Sequence, residues 1–159
     1  MMTEVEAKKI GSRQALKSVG VGLLIAQLIM TWFSSDAGLL KGFLWFVSFG
    51  YNLNLAIGIV IMLLAGHLFG QLAGKEILIK KKNDLWIGFK YGMATLLTTA
   101  FLASWTGFFQ EGIDNIGTND EPFTDYIIKP LFWVFFFGVI PVLFVGFWFG
   151  RQIKKRENV

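Results

Sequence analysis

The feature that most constrains this sequence is the run of residues 42–74, which contains 33 residues and no Asp, Glu, Lys or Arg. Lys41 and Lys75 bound it on either side. A soluble helix of this length needs a polar face toward water, whereas about 20 consecutive apolar residues are enough for a helix to cross a bilayer. The run therefore predicts a membrane-spanning segment.

The composition extends this prediction to the whole 159-residue chain. Charged residues make up 16% of it, against about 25% in typical soluble domains. Seventeen Phe and six Trp accompany eighteen Gly, which is the combination of bulky residues for lipid contact and small residues for helix contact that helical membrane proteins use. We expect one polytopic domain whose first partner is the lipid bilayer.

The residue types exclude several functions. The net charge is +4, but the basic residues flank apolar runs and form no single stripe, so we expect no nucleic-acid partner. The absence of Cys excludes disulfides, Cys-ligated metals and thiol catalysis. The single histidine belongs to no set with zinc-like spacing, and the acidic residues after position 110 do not follow a calcium-loop pattern. We expect no metal and no cofactor.

Four apolar segments predict an all-α integral membrane protein with a four-transmembrane-helix bundle. The charged stretches between the segments predict its connections. The expected parts are an arm over residues 1–17, spans over about 18–35, 52–73, 85–110 and 127–150, a basic loop over 74–84, an acidic loop over 111–126 and a basic tail over 151–159.

The 33-residue run is too long for one straight crossing. As one helix it would measure about 50 Å, whereas the bilayer core is about 30 Å thick. We therefore predict a break near residues 50–52 and an extra segment over residues 39–50 that lies in the interface or re-enters the membrane. A single, strongly tilted helix is the alternative.

Lys and Arg residues predict the orientation. The arm, the basic loop and the tail each carry four of them, whereas only Lys41 and Lys129 lie on the opposite side. Because positive residues concentrate on the cytoplasmic side, we expect both termini in the cytoplasm. The default location is the bacterial inner membrane, and we expect the first apolar segment to be a span and not a cleaved signal. The basic loop is a possible contact for anionic lipid.

Glycines recur at a spacing of four in the predicted spans. Because glycine has no side chain, helices that carry such a stripe can approach closely and gain van der Waals contact. Packing within one bundle and assembly with another chain both remain open. We assign a helix-packing role to Gly58, Gly66, Gly70, Gly74, Gly88, Gly92, Gly146 and Gly150.

Four polar residues form a candidate binding level. His67 is about 9 Å along the helix from the inner end of the second span, and Lys90 is about 8 Å from the inner end of the third. Gln71 lies one turn from His67, and Tyr91 follows Lys90. Ionisable residues inside spans often mark a site. The alternatives are that Lys90 extends toward the headgroups and that His67 makes one interhelical hydrogen bond.

These observations favour a small non-enzymatic subunit or scaffold that assembles, as a homo-oligomer or in a larger membrane complex, through its glycine-rich faces. The alternative is a channel or carrier for a small solute or ion with a polar site near His67 and Lys90. A kink predicted at Pro141 and the broken second segment support that alternative. A lipid-modifying enzyme with His67 as its base is a third hypothesis, for which the spans hold no partner carboxylate.

Overall fold

The computed structural model describes residues 2–34, 38–47, 52–114, 116 and 121–157. Within these residues the chain is helical and contains no strand. Its helices are α1 (Glu4–Phe33), α2 (Leu39–Phe43), α3 (Asn52–Gly74), α4 (Asp84–Gly107) and α5 (Lys129–Lys154). A 3₁₀ turn follows α2 at Trp45–Val47, π-helical turns at Lys75–Ile79 and Phe108–Gly112 continue α3 and α4, and a third at Thr124–Ile128 leads into α5.

Four of the helices, taken with their adjoining turns, are long and apolar enough to cross a membrane. The predicted all-α fold with four helices of spanning length is therefore confirmed. Hydrophobic side chains cover much of the outer surface of these helices, as expected for a helical bundle in a membrane. The four stretches are Glu4–Phe33, Asn52–Ile79, Asp84–Gly112 and Thr124–Lys154.

Helix α1 begins within the charged arm, earlier than the apolar run alone indicates. Thr3 and Glu6 form a capping box: the Thr3 hydroxyl accepts the Glu6 N–H at 3.3 Å, and the Glu6 carboxylate accepts the Thr3 N–H at 2.8 Å. These two bonds satisfy backbone donors that a helix start leaves without a partner. The helix therefore runs continuously from the arm into the apolar segment.

Successive long helices run antiparallel, and α5 also contacts α1. We call the end that holds Glu4, Lys75 and Lys154 the basic end. Ion pairs connect elements there: Lys75 Nζ lies 2.9 Å from a Glu4 carboxylate oxygen, and Lys154 Nζ lies 3.5 Å from one of Asp84. Ion pairs at a protein surface contribute about 0–1 kcal/mol each. They position the helix ends but do not account for the packing between helices.

Glycines account for the packing between two pairs of helices. In the α1–α3 seam, a Cβ added at Gly74 would lie 2.9 Å from Gly11 Cα. In the α4–α5 seam, one added at Gly88 would lie 2.8 Å from the Gly150 backbone nitrogen. Real Cβ atoms do not approach backbone so closely, so each seam brings two backbones into direct contact.

Residues 38–47, the described part of the connection between α1 and α3, fold back along α1. Gly38, whose φ of 103° suits glycine alone, precedes α2. Gln27 then donates to the Phe43 carbonyl at 2.7 Å and accepts from Trp45 Nε1 at 3.1 Å. Gln27 lies about 9 Å before the end of α1. Phe43 and Trp45 therefore lie beside α1 about 9 Å back from its end.

The structure thus favours a separate segment over the alternative of one tilted helix for residues 42–74. A short α-helix and a 3₁₀ turn precede α3, which begins at Asn52. Much of the predicted break near residues 50–52 lies outside the described residues.

Candidate functional site

His67 is a residue of α3 whose side chain reaches α1. Its Nδ1 is 2.7 Å from the Ser12 hydroxyl oxygen on α1, and its Nε2 is 2.7 Å from the Gln71 amide nitrogen one turn along α3. The imidazole ring is exposed, whereas Ser12 is only 7% exposed. The histidine therefore closes a polar bridge over the edge of the α1–α3 seam.

The orientation of the Gln71 amide favours one tautomer of this histidine. An amide nitrogen donates hydrogen bonds and does not accept them, so in this orientation Nε2 of His67 is the acceptor. The favoured tautomer carries the ring proton on Nδ1, which donates to the Ser12 hydroxyl. In this arrangement both ring nitrogens of the neutral imidazole are engaged within the chain.

Sequence reasoning did not identify Ser12, because its role depends on how α1 packs. Ser12 follows Gly11, and a Cβ added at Gly70 would lie 3.0 Å from Ser12 Cα. The close backbone approach at this seam brings a short serine side chain within reach of His67. The small residues Ala7, Gly11 and Ala15 at spacing four are the signal in the sequence that marks this face of α1.

Lys90 and Tyr91 form a second pair, away from the hydrogen bonds of His67. The Lys90 amino group lies 5.1 Å from the centre of the Tyr91 ring, within the range of a cation–π contact. Tyr91 is 8% exposed, and its ring stacks on Phe69 with centres 6.1 Å apart. The structure thus places Gln71 with His67 and Lys90 with Tyr91, and it gives no hydrogen bond between the two pairs in the described chain.

The predicted packing glycines contact other helices of the same chain. Gly66 faces Val19 of α1, and Gly92 faces Val142 of α5. A larger residue at either position would need the facing valine side chain to move. At Gly58 an added Cβ would make ordinary contact, 3.6 Å from the Ala103 Cβ on α4. These glycine faces are occupied inside the bundle.

A cavity of about 220 Å³ lies between the four long helices. Its walls are almost entirely apolar and include small residues of each helix, and Pro141 belongs to its α5 wall. The hydroxyl groups of Ser18 and Thr95 also line it, but each donates to the backbone of its own helix, at 2.9 and 2.8 Å. Of the predicted binding level, Tyr91 lines the cavity, whereas His67, Gln71 and Lys90 do not.

The cavity is therefore suited to an apolar occupant, because its walls are almost entirely apolar and charged groups are absent from its lining. The described residues contain no group of three or more His, Asp or Glu side chains placed to hold a metal ion.

Comparisons with known proteins give no match. No model of a protein family matches the chain, and no match was found among curated proteins or among solved structures.

The tautomer of His67 is directly testable, because it is the only histidine in the chain. With ¹⁵N-labelled histidine at a pH where the imidazole is neutral, we expect NMR signals of a protonated Nδ1 and an unprotonated Nε2, since Gln71 donates to Nε2. Ser12→Ala removes the acceptor of the Nδ1 proton and should shift the Nδ1 signal. A spectrum with the proton on Nε2 would contradict the assignment.

Proposed function

We propose that this chain is an integral membrane protein of the bacterial inner membrane, with the basic end in the cytoplasm. Four helices of spanning length support insertion. The concentration of Lys and Arg in the arm, the basic loop and the tail supports the orientation, which places both termini in the cytoplasm. The basic loop over residues 74–84 then lies beside the inner headgroups, where it attracts anionic lipid.

Because the chain has no native cysteine, single cysteines can test this orientation. Lys81 lies at the basic end and Glu121 in the opposite loop, and both are exposed. In intact spheroplasts, a membrane-impermeant maleimide should label Glu121→Cys, and it should label Lys81→Cys only after permeabilisation. The reverse pattern would overturn the proposed topology.

We propose further that the protein is a non-enzymatic subunit or scaffold of a membrane complex. The observation that carries this is the exposed imidazole of His67 on α3, within a helix of spanning length. A polar side chain on the lipid-facing surface of a span is unfavourable, and such side chains usually face protein or water. A partner helix packed on this side of α3 would shield it.

The proposed partner surface therefore differs from the glycine faces that the sequence favoured. Those faces contact α1, α4 and α5 of the same chain, so they stabilise the bundle and are not free for a partner. The exposed side of α3 around His67, where Leu64 and Leu68 flank it, is available for assembly. A second copy or another membrane protein fits this proposal.

The mass of the protein extracted in mild detergent tests the subunit proposal. The wild-type protein, taken from its native membrane in mild detergent, should form a discrete assembly larger than one 17.9 kDa chain. His67→Ala removes the shielded polar group and should weaken assembly by about tenfold in dissociation constant, equivalent to the loss of about 1.4 kcal/mol. Phe144→Ala, at an exposed position on α5, is the control and should assemble normally.

Two results would count against the subunit proposal. One is a wild-type protein that is a lone monomer in lipid nanodiscs formed directly from the native membrane. The other is an assembly that His67→Ala and Phe144→Ala leave equally intact.

The channel or carrier alternative draws less support. A polar pathway would need His67 and Lys90 to share a cavity, whereas the cavity lining is apolar and includes neither residue. The hypothesis of a lipid-modifying enzyme meets a similar difficulty, since the His67 hydrogen bonds described here go to a serine and an amide, and neither is a carboxylate.

A further inference from the structure

We propose that the cavity between the four long helices binds one acyl chain of an anionic phospholipid from the cytoplasmic leaflet. This inference rests on the proposed membrane insertion and orientation, and it assigns a ligand site that the subunit proposal does not require. The site would hold a structural or regulatory lipid inside the bundle.

The opening of the cavity lies beside α1. Ala26 and Ile29 of α1 line the cavity and are also exposed, so the space reaches the lateral surface of the bundle. Helices α3 and α4 contribute the inner wall through residues such as Gly66 and Thr95. Glycine seams close the α1–α3 and α4–α5 contacts, which leaves the side between α1 and α5 as the route from the membrane.

The surroundings of the cavity identify the class of occupant. A cavity with almost entirely apolar walls does not hold water well, and an empty one loses van der Waals contacts along its whole lining. In a membrane the opening faces hydrocarbon, so an acyl chain can enter without leaving an apolar environment. A lipid chain is therefore the occupant that the bilayer itself supplies.

The cavity is shorter than the bilayer core. On α1 its lining runs from Ala15 to Ile29, which is about 21 Å along the helix, whereas the whole bilayer core is about 30 Å thick. Ala15 lies toward the basic end. An acyl chain from the leaflet on that side would thus have its headgroup close to the basic end.

The charges at that end complement an anionic headgroup. Lys17 immediately precedes Ser18 on α1, and Arg151 lies two residues beyond the cavity-lining Phe149 on α5. Both basic side chains are exposed, Lys17 within α1 and Arg151 near the end of α5, on the two helices that bound the opening. Cations in such positions attract the phosphate and any further negative charge of a lipid headgroup.

Two glycines of α1 provide a matched test. Gly22 lines the cavity, and a Cβ added there would meet no atom within 4 Å, so a larger side chain would extend into the space of the proposed acyl chain. Gly20 is equally unobstructed, but it is exposed and lies outside the cavity lining. Leucine at the first position fills the site, whereas leucine at the second faces the surrounding lipid.

The experiment uses phospholipids that carry a photoactivatable diazirine in the acyl chain, with either an anionic phosphatidylglycerol or a zwitterionic phosphatidylcholine headgroup. The full-length protein is reconstituted into liposomes of each lipid, and flotation first verifies insertion. After illumination, mass spectrometry of peptides locates the label. Failure of the protein to float with liposomes would overturn membrane insertion itself, and so separates that failure from a failure of the lipid site.

In the wild-type protein we expect label at cavity residues such as Val142, with phosphatidylglycerol labelling more strongly than phosphatidylcholine. Gly22→Leu should reduce this labelling by about tenfold, because the leucine side chain occupies the space of the chain, and Gly20→Leu should leave it unchanged. Ala26→Leu fills the same cavity one turn away and serves as the test if Gly22→Leu does not fold.

Label spread evenly over exposed residues such as Phe144, or equal labelling of Val142 in the Gly22→Leu and Gly20→Leu proteins, would overturn the site. Equal labelling by the two headgroup types would overturn its anionic specificity.

Discussion

Lipid tails contact apolar side chains about as favourably as a neighbouring helix does, so helices in a membrane need close van der Waals contact to remain together. This bundle obtains that contact where glycine faces glycine. Gly11 meets Gly70 and Gly74 between α1 and α3, and Gly88 meets Gly146 and Gly150 between α4 and α5. The two seams join the helices in pairs, and the α3–α4 contact joins the pairs.

The other features of the bundle follow from these seams. Close approach at Gly11 brings Ser12 to His67, which gives the polar bridge at the edge of the α1–α3 contact. The side between α1 and α5 has no such seam, and there the helices leave an apolar cavity of about 220 Å³. The distribution of glycines thus accounts for both the close packing at the seams and the open space between α1 and α5.

Much of the fold was predictable, because the length of a run without charges indicates directly whether a helix can span a membrane. The run over residues 42–74 is too long for one straight crossing, which predicted an interruption. The structure places a short helix and a turn before α3. The neighbours of a side chain were less predictable, since they depend on how each helix is rotated against the others. His67 therefore bonds to Ser12 and Gln71, whereas Lys90 contacts the Tyr91 ring, and no local pattern reports a cavity.

The most direct test of this account replaces single seam glycines by alanine. Gly88→Ala and Gly74→Ala place a Cβ against backbone of the facing helix, and each should destabilise the protein by about 1–3 kcal/mol. Gly20→Ala, in open space on α1, should be neutral or stabilising by up to about 1 kcal/mol, because alanine favours the helix. Thermal midpoints of the detergent-solubilised variants measure both effects. Only the seam variants should be destabilised, and seam variants as stable as Gly20→Ala would contradict the account.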